Sequence, residues 1–244
     1  MNNYLLTLMF DGSRFHGWQV QPNAVTVQQT LQDAVEKILG VRENITGCSR
    51  TDAGVHANMF CCNIRTEKEI DTAAFKKSLN GVLPDSVAVT DVKCVDYDFH
   101  ARYDCKSKQY KYLIFNREFE NPFYVGRALF YPYKLDVEMM NEEAQSFLGT
   151  HDFSAFCSAD SSVEDKTRTV KQINVVRNGD FVEITVEADG FLYNMVRIIV
   201  GTLLDINSGK IPKGSIEAVI NSKDRQHAGF TVKPCGLYLN KVNY

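Results

Sequence analysis

The tetrapeptide Arg177-Asn178-Gly179-Asp180 constrains the fold more than any other local pattern in this chain. Asn-Gly between two apolar runs suits the centre of a type I′ turn, whose twist matches that of an antiparallel hairpin. Residues 170–176 and 181–187 are then its arms. Strand and helix periodicities alternate twice along the chain. In the first half, an apolar strand over residues 4–10 precedes Val27, Leu31, Ala34, Val35, Ile38 and Leu39, which recur at helical spacing. Thr26 can cap the start of that helix and Gly40 can end it. A strand over 59–65, a helix over 71–80 and a strand over 87–95 follow. From about Cys105 the pattern restarts with a strand over 109–115 and a helix over 136–148. After the hairpin, Leu192, Met195, Val196, Ile199, Val200 and Leu203 predict another helix. A short helix over 214–221 and a strand over 236–242 close the chain. Runs of strands with helices between them predict an α+β fold, divided at residues 1–104 and 105–244 without a proline-rich linker.

A length of 244 residues with 44% hydrophobic side chains supports a sizeable core. The first apolar run stops at Asp11 and carries no basic leader, so it reads as a strand and not a signal peptide. Residues 195–204 are strongly apolar, yet they include Arg197 and are too few to span a bilayer. A soluble, cytoplasmic protein is expected. The seven cysteines are odd in number, two of them adjacent at Cys61-Cys62, and the five histidines lack metal-ligand spacing. Free thiols and no metal are the expectation.

The net charge of −3 conceals opposed local charges. Arg102, Lys106, Lys108, Lys111 and Arg117 face only Asp104 in their stretch and are interleaved with Tyr103, Tyr110 and Tyr112. Asp136, Glu138, Glu142, Glu143, Asp152, Asp160, Glu164 and Asp165 make the following stretch acidic. Cations and aromatic faces together suit RNA, where they hold phosphates and stack on splayed bases. An ordinary edge strand protected by lysines would read the same way.

Gly47-Cys48-Ser49-Arg50-Thr51-Asp52-Ala53-Gly54-Val55-His56-Ala57 is too polar for a core strand and holds one carboxylate between an arginine and a glycine. Its glycines let the backbone bend on either side of Asp52, which presents that carboxylate at a surface. An Asx-type turn is the plain alternative. The seven residues Arg50-Thr51-Asp52-Ala53-Gly54-Val55-His56, in register, resemble the catalytic motif of the tRNA pseudouridine synthase A family. Asp11-Gly12-Ser13-Arg14-Phe15-His16-Gly17-Trp18-Gln19, His151-Asp152-Phe153-Ser154-Ala155-Phe156 and Gly190-Phe191-Leu192-Tyr193-Asn194-Met195-Val196-Arg197 are similar to other segments of that family. The resemblance spans nearly the whole chain. Two places depart from the pattern: Ser49 replaces a usual glycine, and Phe230-Thr231-Val232 follows Ala228-Gly229 where Thr-Ala-Pro is common.

The resemblance implies two ferredoxin-like or RRM-like halves with mainly antiparallel sheets joined around a central cleft, and a homodimer. It implies isomerisation of uridine to pseudouridine in the tRNA anticodon arm, at positions 38, 39 and 40. No cofactor, membrane partner or DNA partner is expected. By the same resemblance Asp52 is expected to be the catalytic residue, acting as nucleophile at C1′ or as base at C2′. The resemblance also implies that Arg197 is its ion-pair partner, that Tyr110 packs on the target uracil and that Arg50 engages RNA. Each also has a plainer reading: Arg197 as a snorkelling surface arginine, Tyr110 as a half-buried strand tyrosine, Arg50 as a loop cap. His56 is expected to be structural, and Trp18 to lock the first loop onto the sheet. A noncatalytic RNA-binding module would have no use for an Asp–Arg pair, and a glycoside or nucleoside hydrolase calls for a second carboxylate that the Asp52 loop lacks.

Overall fold

The structure, a computed structural model, describes residues 1–159 and 163–244, so Asp160 of the acidic stretch lies outside it. The chain forms two compact units, Met1–Lys106 with Tyr238–Tyr244, and Ser107–Leu237.

The first unit contains β1 (Asn2–Phe10), α1 (Val27–Leu39), β2 (Ile45–Gly47), β3 (His56–Thr66), α2 (Thr72–Val82) and β4 (Val87–Val95). The second contains β5 (Ser107–Phe115), β6 (Leu129–Phe130), α3 (Val137–Ala144), β7 (Gly149–Asp152), β8 (Thr167–Asn178), β9 (Phe181–Ala188), α4 (Met195–Asn207) and α5 (Ile216–Ser222). The final strand, β10 (Leu237–Asn243), pairs with β3 in parallel, Tyr238 opposite His56 and Leu239 opposite Ala57. Residues 238–244, read from the sequence into the second half, thus group with the first unit.

In the first unit the order β4-β1-β3-β10 sets β1 between two antiparallel neighbours, with β2 antiparallel to β3. Leu6, Leu8, Phe60 and Ile64 are fully buried. α1 buries Val27, Leu31, Ala34 and Val35, as its periodicity predicts. The Thr26 hydroxyl accepts from the Gln29 N–H at 3.4 Å, and Gly40 ends the helix at φ 72°. α2 packs against β4 and buries Phe75 and Leu79.

In the second unit the order β5-β9-β8-β7 is antiparallel throughout, and two-residue β6 adds a parallel bridge to β5. α3 packs against β8 and also meets α4, which is buried on nearly every side. The architecture is α+β with mainly antiparallel strands.

Three local features differ from the sequence reading. Asn178 pairs with Phe181, so the loop residues are Gly179 and Asp180, one position later than expected. Gly179 has φ 57° and neither Asn178 nor Asp180 has a positive φ, the sign pattern of a type II′ turn. The helix expected over 136–148 ends as α-helix at Ala144, and Gln145–Phe147 tighten into a 3₁₀ turn. The helix expected from Leu192 begins at Met195, because Asn194 adopts the left-handed conformation at φ 62°.

Candidate active site

Asp52 and Arg50 lie on the loop between β2 and β3 in the first unit. The Cys48 N–H donates to the Cys61 carbonyl at 2.8 Å, carrying the ladder into the loop. The loop then closes a turn: the Val55 N–H donates to the Asp52 carbonyl at 3.2 Å, with Gly54 third in the turn at φ 78°. That position of a type II turn needs a positive φ, which explains the glycine two residues after the carboxylate. Asp52 is half-buried and takes part in further interactions; Arg50 is exposed. No hydrogen bond or ion pair joins the Arg50 side chain to another described residue, so it does not cap the loop.

The opening segment holds this turn from behind. Trp18 N–H donates to the Thr51 carbonyl at 3.1 Å and Gly54 N–H to the Phe15 carbonyl at 3.3 Å. Gly17 has φ 84°, and a Cβ there would lie 2.4 Å from the Thr51 carbonyl oxygen. The Trp18 indole stacks on Phe60 with centroids 4.1 Å apart, the lock expected of it. Gly12 N–H donates to His56 Nδ1 at 3.0 Å, and Asp11 Oδ1 lies 3.2 Å from the same nitrogen. The His56 ring is buried and stacks on Tyr238 at 4.5 Å, a packing role. Next to Asp52, the buried Thr51 hydroxyl has no hydrogen-bond partner among the described residues.

Tyr110 and Arg197 belong to the second unit. Tyr110 sits on β5 opposite Val186, only 6% exposed, with its ring edge-to-face to Phe191 at 4.9 Å. Arg197 is in the first turn of α4, where the helix dipole disfavours a cation. Its Nε–H donates to the Val232 carbonyl at 2.8 Å and an Nη1–H to Asn194 Oδ1 at 2.5 Å. The guanidinium is therefore held by neighbouring groups, not snorkelling freely. Two bonds, to Val232 from Arg197 and to the Lys233 carbonyl from the Tyr112 hydroxyl at 2.6 Å, fix the segment that departs from the family pattern. Burial pushes the Tyr112 phenol far above its ordinary range. The same segment lies tight on α4: a Cβ on Gly201 would overlap the Phe230 carbonyl at 1.7 Å. Phe230 and Lys233 are exposed.

Sequence reasoning missed Val232 and Asn194. A backbone carbonyl leaves no residue signature, whereas the asparagine three positions before Arg197 was a readable i, i+3 partner.

The lysines of β5 are not a row of solvated cations. Lys108 is 9% exposed, and Lys111 is paired with Glu183 at 2.7 Å. Arg117 pairs with Asp180 at 2.9 Å. Asp152, in a segment similar to the family's mid-chain signature, accepts from Ser154 N–H at 3.0 Å and Oγ–H at 2.6 Å and pairs with Lys223 at 2.9 Å. The lysine and serine hold its carboxyl below the usual range. Phe153 and Phe156 beside it are fully buried, so this segment is structural.

Among the described residues all seven cysteines are free thiols, and no group of three or more His, Cys, Asp or Glu side chains could hold a metal ion. No helix of the described residues is long and apolar enough to cross a membrane.

Residues 7–104 and 144–244 match the family model described as tRNA pseudouridine synthase. The chain is 46% identical to a tRNA pseudouridine synthase A of Thermoanaerobacter sp. (strain X514) over 244 residues, covering 100% of both chains. Proteins of the same description from Acetivibrio thermocellus and Caldicellulosiruptor saccharolyticus are 44% and 43% identical, again with 100% of both chains covered.

Proposed function

Because the chain belongs to the tRNA pseudouridine synthase family, we infer that it isomerises uridine to pseudouridine in the anticodon arm of tRNA, at positions 38, 39 and 40. The turn built at Asp52 carries this reading. A half-buried carboxylate sits in a loop that Trp18, Gly17 and Gly54 hold by backbone contacts. Such positioning suits a group that must meet one sugar carbon.

The reaction breaks the bond from uracil N1 to ribose C1′, turns the base and forms the bond from C5 to C1′. The proton leaves C5 and one is gained at N1, with no net oxidation, so the chemistry requires no cofactor. Asp52 acts at the sugar. Arg197 keeps it anionic, the role that gives a cation in the first turn of α4 a purpose beyond helix stability. Tyr110, its ring steadied by Phe191, supplies the face under the uracil. Arg50, exposed and without a partner among the described residues, engages the RNA. In this reading the first half of the chain brings the Asp52 loop, and the second brings the tyrosine strand and the arginine helix. The protein works in the cytoplasm as a homodimer and takes neither DNA nor a membrane as partner.

The test uses tRNA transcribed with uridine tritiated at C5. Purified protein releases tritium to water as C5 gains its carbon bond, and modification mapping places the product at 38 to 40. Absence of release, or release confined to another tRNA arm, overturns the reading or its substrate respectively.

A further inference from the structure

A cavity of about 240 Å³ opens within the first unit, beside the Asp52 loop. Trp18, Gly47, Arg50, His100, Arg102 and Tyr103 line it, and among the described residues no carboxylate does. Two arginines without an opposing acid in the lining make it a site for an anion. Neither arginine side chain has a hydrogen-bond or ion-pair partner among the described residues.

The wall that carries Arg102 and Tyr103 is preorganised. His100 Nδ1 accepts from the backbone N–H of Arg102 at 3.1 Å and of Tyr103 at 3.2 Å, while Asp104 Oδ2 accepts from the His100 N–H at 2.8 Å. The His100 and Tyr103 rings stack at 4.1 Å, yet Tyr103 remains 76% exposed. An aromatic ring braced from one side and open to water on the other is a platform for a planar ligand. The floor is equally tight, since a Cβ on Gly47 would lie 2.6 Å from the Trp18 indole nitrogen. The volume falls below the roughly 300–1,000 Å³ of pockets that enclose a whole drug-sized ligand, which suits one residue of a polymer.

We propose that this cavity holds a second nucleotide of the tRNA, distinct from the target uridine, with its phosphate against Arg50 and Arg102 and its base against Tyr103. The site rests on the reading of the chain as a tRNA pseudouridine synthase and adds to it a subsite for a nucleotide the enzyme does not convert. Its function is to fix the register of the RNA on the first unit while Asp52 acts elsewhere on the strand.

Trp18 is the chain's single tryptophan and lines the cavity, so its fluorescence reports occupancy. The experiment titrates the full-length protein with unmodified tRNA, following Trp18 emission, and then measures single-turnover tritium release. Tyr103→Ala should weaken tRNA binding roughly 5- to 100-fold, while Tyr103→Phe keeps the ring and binds like the wild type. Arg102→Gln should weaken binding and lower the slope of log K against log salt by about 0.7–0.9. Unchanged affinity in both Tyr103→Ala and Arg102→Gln, or an equal loss in Tyr103→Phe, overturns the subsite. If the wild type binds tRNA with these variant effects but releases no tritium, the assigned reaction fails and the binding site stands. If it releases tritium and neither variant binds more weakly, the reaction stands and the subsite fails.

Discussion

The Nε–H of Arg197 donates to the carbonyl oxygen of Val232 at 2.8 Å. With the bond from Nη1 to Asn194, this fixes the plane of the guanidinium by contacts on two edges. A lysine ammonium is a point charge that cannot reproduce that fork. Arg197→Lys should therefore fold with stability close to the wild type yet lose at least about 100-fold in tritium release, comparable to removing one positioned charge-stabilising donor. Urea denaturation and single-turnover assays check the two halves of this expectation. Near-normal turnover in the lysine variant would reduce the bonds to Val232 and Asn194 to a packing detail.

Asp52→Asn keeps the size and shape of the side chain and removes its charge. Turnover should fall by about 10²–10⁴ or more while tRNA affinity stays close to that of the wild type. Filter binding and tritium release measured on the same preparation separate the two.

The Thr51 hydroxyl lies buried beside Asp52 without a hydrogen-bond partner among the described residues. Replacing it by a methyl group of similar shape gives up no bond and spares a polar group its desolvation. Thr51→Val should leave stability unchanged or raise it by up to about 1 kcal/mol. A clear drop in the urea midpoint would show that the hydroxyl is bonded after all.

Gly17→Ala acts from the other side of the same turn. Its φ of 84° and the 2.4 Å approach of a Cβ to the Thr51 carbonyl oxygen force the backbone next to Asp52 to move. A loss of about 1–3 kcal/mol in stability is expected. Turnover at saturating tRNA should fall more than affinity does, because the displaced group is the carboxylate's own turn. Equal losses would contradict this.

Acid stability carries the mark of Asp152. Lys223 and Ser154 lower its pKa in the folded protein from the ordinary 3.8. A depressed carboxylate contributes stability that is fully present above the unfolded value and disappears as pH falls through the lower folded one. Asp152→Asn should thus be less stable than the wild type at neutral pH. The gap should narrow below about pH 4 as the wild-type carboxylate protonates. The effect should be modest, since Lys223 is mostly exposed. Parallel stability curves for the two proteins would exclude the carboxylate as the cause.

The elements that could be read from the sequence are those whose cause is local. α1 shows its apolar stripe, its Thr26 cap and its Gly40 end within fifteen consecutive residues. The hairpin of β8 and β9 was visible through Asn178-Gly179, but its register slipped by one: Asn178 pairs with Phe181, leaving Gly179 and Asp180 to make the turn. Aspartate 180 is held there by contacts remote in sequence, its carbonyl accepting from Asn116 and its carboxylate pairing with Arg117. The short strands β2, β6 and β7 exist because of their partners and have too few residues to show a period.

The candidate site divides in the same way. Asp52 and Arg50 stand in one contiguous motif. The carbonyl that steadies Arg197 comes from Val232, thirty-five positions on, and no side-chain pattern advertises it. The lysines of β5 were misleading for a related reason: Glu183, the partner of Lys111, arrives on a strand seventy-two residues later.

The pairing of β10 with β3 gives the first unit a history as well as a shape. On the ribosome, residues 1–106 are made first, but the strand that completes their sheet is translated only after all of 107–237. Until then the β3 edge near His56 lacks its parallel neighbour, and His56 lacks the Tyr238 ring that covers it. The second unit is contiguous in sequence and can form while the first still waits for its last strand. The carboxylate loop therefore reaches its finished setting only after the tyrosine strand and the arginine helix have been made.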